Sequence, residues 1–150
     1  FTGYFISVKG KDSDEKIAKK NSTEIQISPE QIWKMKHKGQ LNNGLTYLFA
    51  IERPEGKYEI SSIRLFTNSG IAALQRTNNL SSFSIPFDVN KGEITYVGNI
   101  IFNEYAGEND ILFSYENNYE ADINAIKIIQ PTVEWSKAIN DLDRKIEYSK

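Results

Sequence analysis

Apolar residues at every second position recur along most of this chain, and that two-residue period commits it to strands with one face on a core. The clearest case lies between Leu45 and Phe66. Leu45, Tyr47, Phe49 and Ile51 line one face of a first arm, and Arg53-Pro54-Glu55-Gly56 offers the fixed φ of Pro54 and the positive-φ tolerance of Gly56 that a tight turn uses. The return arm opens on Tyr58 and Ile60, then moves its apolar set to Ile63 and Leu65. That offset at Ser61-Ser62 predicts a β-bulge, which takes up one residue and restores the face. Residues 45–66 are thus expected to form a hairpin.

Other segments follow the same period. Tyr4, Ile6 and Val8 share a face, and the Lys-rich stretch from Gly10 to Thr23 reads as a loop. Ile25, Ile27, Trp33 and Met35 hold odd positions, with Pro29 interrupting, which suits two short strands or a bulged edge strand. Lys36 to Gly44 is turn-rich. Thr67 to Ser82 reads as a long loop in which Ile71 to Gln75 could form a helical turn. Phe83, Ile85, Phe87 and Val89 make a strand with Pro86 outward, as on a sheet edge, and Asn90-Lys91-Gly92 makes a turn. Ile94, Tyr96, Ile100 and Phe102 continue on one face with Gly98 at the missing position; Ile111, Phe113 and Tyr115 add another strand.

After Asn118 the period lengthens to that of a helix. Tyr119, Ile123 and Ile126 share a face, Glu120 and Asp122 suit the N-terminal dipole, and Pro131 ends the helix. Trp135, Ile139, Leu142 and Ile146, spaced by four, three and four, predict a second. Strands followed by helices favour a mainly β, antiparallel sandwich over a βαβ arrangement, with a barrel as the alternative. With 150 residues the chain is expected to be a single domain, 1–150, with a helical tail over about 119–147.

Several chemistries are excluded by content. There is no Cys, so disulfides, thiol catalysis and zinc-thiolate or iron-sulfur ligation are out. A net charge of −2 gives no basic field for nucleic acid. Charge is uneven, however: residues 1–38 carry eight Lys against five acids, whereas seven acids and no cation lie between Lys91 and Lys127. No apolar run approaches the roughly 20 residues of a transmembrane helix. The sequence opens on Phe1 without an initiator Met, as expected of a processed or trimmed N-terminus, and a signal peptide or lipid-bearing Cys would have gone with it.

The segments Pro54-Glu55-Gly56-Lys57-Tyr58-Glu59-Ile60, Phe83-Ser84-Ile85-Pro86-Phe87-Asp88-Val89 and Gly92-Glu93-Ile94-Thr95-Tyr96-Val97-Gly98-Asn99-Ile100 resemble the "P-x-G-x-Y" and "G-E-I-x-Y-x-G" strands of small exported bacterial proteins of unknown function, many of them predicted lipoproteins. The resemblance spans residues 45–129. It implies export and a β-sandwich, and it carries over no catalytic residue. The fold expected for the chain is an antiparallel, immunoglobulin- or transthyretin-like β-sandwich with one or two C-terminal helices.

Candidate sites are few. His37, the sole His, lies between Lys36 and Lys38, whose charges would depress its pKa, and reads as a surface residue. Glu104, Glu108, Asp110, Glu116, Glu120 and Asp122 are the acids a Ca²⁺ site or a two-carboxylate hydrolase in 104–122 would draw on, yet no EF-hand pattern occurs and a solvated acidic surface accounts for them. No G-x-S-x-G, G-x-G-x-x-G or P-loop is present. Trp33, Tyr47, Tyr58 and Tyr105 are the aromatics a sugar platform would use, although alternating faces assign most aromatics to the core. Trp135 is expected to pack its helix on the sheet.

The expectation is a non-enzymatic, exported binding or structural module, periplasmic, lipid-anchored at the outer membrane, or secreted, without metal or cofactor. An envelope protein or a glycan is its expected partner. A carbohydrate-binding sandwich domain and a paired-carboxylate hydrolase are the alternatives. Function is expected in Thr67–Ser82 and Asn103–Asp110.

Overall fold

The computed structural model describes residues 3–27, 40–42, 46–67, 76–80, 83–103, 113–142 and 147–148. These residues fall into two compact units, Phe1–Lys91 with Arg144–Lys150, and Gly92–Asp143.

The first unit is built on antiparallel strands β1 (Gly3–Lys11), β2 (Thr23–Ile27), β3 (Gln40–Asn42), β4 (Thr46–Leu48), β5 (Gly56–Thr67), β6 (Arg76–Leu80) and β7 (Phe83–Val89). Its main sheet runs β7-β5-β1-β2, with β6 continuing along β5 beyond β7. A two-residue strand, Glu147–Tyr148, pairs with Phe83 and Ser84. One face holds the apolar set. Val8 lies opposite Ile60 and Thr23, Ile60 opposite Ile85, and Tyr58 opposite Phe87, their rings stacked at 5.5 Å. The other face is polar: Arg64 lies 4.1 Å over the Phe5 ring and 3.3 Å from Glu24, and Lys11 meets Glu59 at 2.6 Å. Burying one such apolar side chain contributes about 1.5–3 kcal/mol, whereas an exposed pair such as Arg64–Glu24 contributes under about 1 kcal/mol. The apolar face therefore decides register.

That register requires the bulge. Ser7 lies opposite Ser62 and Val8 opposite Ile60, so Ser61 is the extra residue, and Tyr58, Ile60, Ile63 and Leu65 are all buried. On the opposite edge β6 and β7 meet β5 in registers that differ by two residues at the same level. Ser61 Oγ is buried there without a hydrogen-bond partner among the described residues.

Three expectations for this unit are corrected. The hairpin through Pro54 does not form: β4 pairs with β3, whereas β5 pairs with β1, β6 and β7. Backbone ladders, not turn chemistry, choose the partners. Part of the Thr67–Ser82 loop is β6, which joins through backbone groups of a polar sequence, Arg-Thr-Asn-Asn-Leu, that shows no alternation. Within the Lys-rich stretch lies a helix, α1 (Glu15–Asn21). Asp14 caps it by accepting the Lys16 N–H at 2.8 Å, Lys19 and Lys20 suit its C-terminal dipole, and the Arg53 guanidinium donates to the Asn21 carbonyl at 3.0 Å. Gly10 admits α1 to β1: a Cβ there would stand 2.8 Å from the Ala18 carbonyl oxygen.

The second unit contains β8 (Ile94–Tyr96), β9 (Asn99–Phe102), β10 (Phe113–Glu116), α2 (Tyr119–Ile129), a 3-10 turn (Trp135–Lys137) and β11 (Ala138–Asn140). β9 and β10 pair antiparallel; β8 and β11 pair parallel. The expected continuous strand breaks at Val97-Gly98. Gly98 has φ +115°, and the Tyr115 ring occupies the space a Cβ would need, its hydroxyl donating to the Val97 carbonyl. The helix ended by Pro131 is present as α2, burying Ile123 and Ile126. The second predicted helix is not. The Trp135 indole N–H donates to the Gln130 carbonyl at 2.8 Å, and the backbone beyond joins β8 instead, leaving Ile139 44% exposed. No helix among the described residues is long and apolar enough to cross a membrane.

Candidate functional site

Among the described residues, a connected polar cluster lies where the first turn of α2 meets the β8–β11 ribbon. Helix formation leaves the first N–H groups of α2 unpaired, and Asn118 stands at the cap position without capping them by its side chain. Asn117 supplies one acceptor, its Oδ1 taking the Tyr119 N–H at 3.2 Å and the Asn140 amide at 3.3 Å. Asn118 turns its amide to Asp122, one helical turn on, donating to Oδ1 at 3.2 Å. The other oxygen of Asp122 accepts the Tyr96 hydroxyl at 2.5 Å, and that hydroxyl accepts the Asn118 N–H at 3.2 Å. Asp122 is buried, so an acceptor with only one of these donors would carry a desolvation cost.

Tyrosines complete the joint. Tyr119 donates its hydroxyl to the Ala138 carbonyl at 2.7 Å, and its ring meets Tyr96 edge-on at 5.3 Å. Tyr96 sits on β8, Ala138 and Asn140 on β11, so the start of α2 is tied to both strands of the ribbon. Burial, then the hydrogen bond to Asp122 and its charge, push the Tyr96 hydroxyl well above the usual tyrosine range, with the Asn118 N–H acting the other way. At neutral pH Tyr96 is a hydrogen-bond donor and no base.

Of the acids singled out in sequence, Asp122 is part of this joint, and Glu116 and Glu120 are exposed. Glu104, Glu108 and Asp110 lie outside the described residues, as do His37, Trp33 and Tyr105. Among the described residues no three His, Asp or Glu side chains form a group that could hold a metal ion. Of the aromatics, Tyr58 is 1% exposed, its hydroxyl donating to the Pro54 carbonyl at 2.6 Å, so it belongs to the core; Tyr47 is 39% exposed. Sequence reasoning placed Tyr96 only on an apolar face and missed its partner. The two residues are 26 apart, beyond the reach of any local spacing rule.

The fold and this joint define a mainly β protein whose C-terminal helix is fastened to a parallel two-stranded ribbon. No family model, curated protein or solved structure matches the chain.

Proposed function

We propose that this chain is a non-enzymatic, exported β module that acts by binding, or as a structural part, in a cell-envelope or secreted assembly. One observation carries that reading: the Tyr96–Asp122 pair, in which the carboxylate is buried, is spent on fastening α2 to β8. Its hydroxyl and both carboxylate oxygens are held by neighbours of the same unit. The buried apolar face of the main sheet supports a sandwich, since a sheet hides such a face against a second layer. Resemblance of residues 54–60 and 83–100 to exported lipoprotein strands supports export. A carbohydrate-binding role is the second reading, favoured by the exposed ring of Tyr47.

Incubation with chromogenic glycosides, esters and peptides tests the first reading, with wild type compared against Glu116→Gln and Glu120→Gln. No turnover above buffer is expected. Turnover that disappears in either variant at unchanged melting temperature would sink it in favour of a carboxylate hydrolase. A thermal-shift screen with oligosaccharides separates the second reading, because a ligand of the folded state raises apparent stability by mass action. A rise abolished by Tyr47→Ala would favour carbohydrate.

A further inference from the structure

We propose that this chain forms a two-fold symmetric dimer in which β2 of one copy pairs antiparallel with β2 of a second, centred on Ile25. β2 is an edge of the main sheet: β1 pairs with it on one side, and on the other no described strand pairs with residues 24–27. Such an edge presents a row of backbone N–H and C=O groups that another strand can take up, and proteins commonly guard it with Pro, Lys or a bulge. The opposite side of the sheet is guarded, since β7 carries Pro86 and accepts Glu147–Tyr148. β2 reads Thr-Glu-Ile-Gln-Ile, with neither Pro nor Lys, and its register with β1 runs without a shift. Its one charge, Glu24, is offset by Arg64, which reaches across β1 over the Phe5 ring.

The sequence of the edge selects a second copy as its partner. Turned antiparallel about Ile25, the strand sets Ile25 against Ile25, and twice over sets Glu24 against Gln26 and Thr23 against Ile27. The Glu24 carboxylate then meets an amide donor, the second copy's Gln26, at both places, and no like charges stand opposite one another. Centring on Glu24 would set two carboxylates face to face, and a shift by one residue would turn the apolar side of one copy to the polar side of the other. Thr23 and Ile25 are buried on the apolar face and Ile27 is half-buried, so the chosen register carries that face across the seam as one layer. Glu24 and Gln26 share the polar face, where the Glu24 side chain is 48% exposed. All of these residues belong to the first unit. Each copy contributes the same edge, so the assembly closes at two. The five residues span about 17 Å, a small contact, and the dimer is expected to be weak. This inference goes beyond the module reading, which specifies no self-contact, and stands or falls independently of it.

Sedimentation velocity on the full chain, at concentrations up to about 1 mM, reads it directly. Wild type is expected to approach the mass of a dimer and to go no further. The symmetry axis uses position 26 twice, so each substitution there acts twice. Gln26→Glu sets carboxylate against carboxylate and is expected to weaken the dimer about fivefold, whereas Gln26→Lys sets an ammonium against Glu24 and is expected to tighten it about fivefold. The exchange variant Glu24→Gln, Gln26→Glu restores the pairing with the partners reversed and should return to within about twofold of wild type. Gln26 is half-buried on the polar face, and the urea midpoint of each variant checks that it folds. Should one position-26 variant not fold, the variant of opposite charge reads the same register. A wild type that stays monomeric to the highest concentration, even one that captures an extended peptide of another protein, overturns the proposal. So does growth beyond a dimer, a dimer indifferent to charge at position 26, or an exchange variant as weak as Gln26→Glu.

Discussion

Replacing Tyr96 with Phe deletes one hydroxyl at the joint between α2 and β8. Asp122 Oδ2 then loses its donor at 2.5 Å while staying buried, and the Asn118 N–H loses its acceptor at 3.2 Å. A hydrogen bond to a charged group contributes about 1.5–3 kcal/mol, a neutral one about 1 kcal/mol. Asn118 is exposed, so its N–H regains water and adds little. The expected loss is about 2 kcal/mol, or roughly 10 °C for a small domain. Amide hydrogen exchange at Asp122 and Ile126 reports it locally, within the unit that contains the pair. Asp122→Asn and the double variant complete a cycle, in which the two single losses exceed the double loss by about 1.5 kcal/mol. pH supplies an independent reading. Folding raises the Tyr96 pKa, so the folded chain holds that proton more tightly than the unfolded chain. Its contribution is whole below the usual tyrosine value near 10 and is lost as pH rises from there through the raised folded value. Tyr96→Phe should flatten that alkaline decline in part, because Tyr58, which burial also raises against the opposing charge of Arg53, contributes to it as well. A coupling within about 0.5 kcal/mol of zero, or an alkaline slope unchanged by Tyr96→Phe, would refute the assignment of the pair as the fastening.

Gly98→Ala forces a Cβ into the Tyr115 ring at φ +115°, and a loss above about 2 kcal/mol is expected in urea titration; Tyr115→Ala in the same chain should recover the steric part only. Ser61→Ala removes a buried hydroxyl that has no partner among the described residues, so the urea midpoint should hold or rise, by up to about 1 kcal/mol in stability. The Glu59 carboxyl is held below its usual range, first by the Lys11 hydrogen bond, with burial opposing and Ser84 assisting. Its contribution is present above the unfolded value of 4.5 and lost as pH falls through the lowered folded value. Glu59→Gln should flatten that acid decline by no more than about 1 kcal/mol, because Lys11 is largely exposed.

Much of the fold was legible where local pattern and tertiary partner agree. Tyr4, Ile6 and Val8, or Phe83, Ile85 and Phe87, alternate because they face the core, and the offset at Ser61-Ser62 marks the bulge because both halves of β5 must bury their apolar residues. Partnership itself was not legible. Pro54 and Gly56 suit a turn whatever the strands beside them pair with, and β4 pairs with β3. Arg76–Leu80 carries no face pattern, so only its backbone shows it to be a strand. α1 did carry its signals, Asp14 at the cap and Lys19 and Lys20 at the end, but with no apolar stripe to declare a helix. Trp135, Ile139 and Leu142 kept helical spacing, yet pairing with β8 won. Asp122 was visible as an acid near a helix start, whereas its bond to Tyr96 depends on chain closure over 26 residues.

The parallel pairing of β8 with β11 bears on how the protein is made. Ala138, the partner of Ile94, follows it by 44 residues, so translation at about 5–20 residues per second separates the two by some seconds. During that interval β1, β2, β5 and β7 have all been synthesised and can pair, while Ile94–Tyr96 waits for its partner strand. A ribosome stalled at Val133 would hold a nascent chain able to complete the main four-strand sheet but not the ribbon to which Tyr96 and Tyr119 fasten α2.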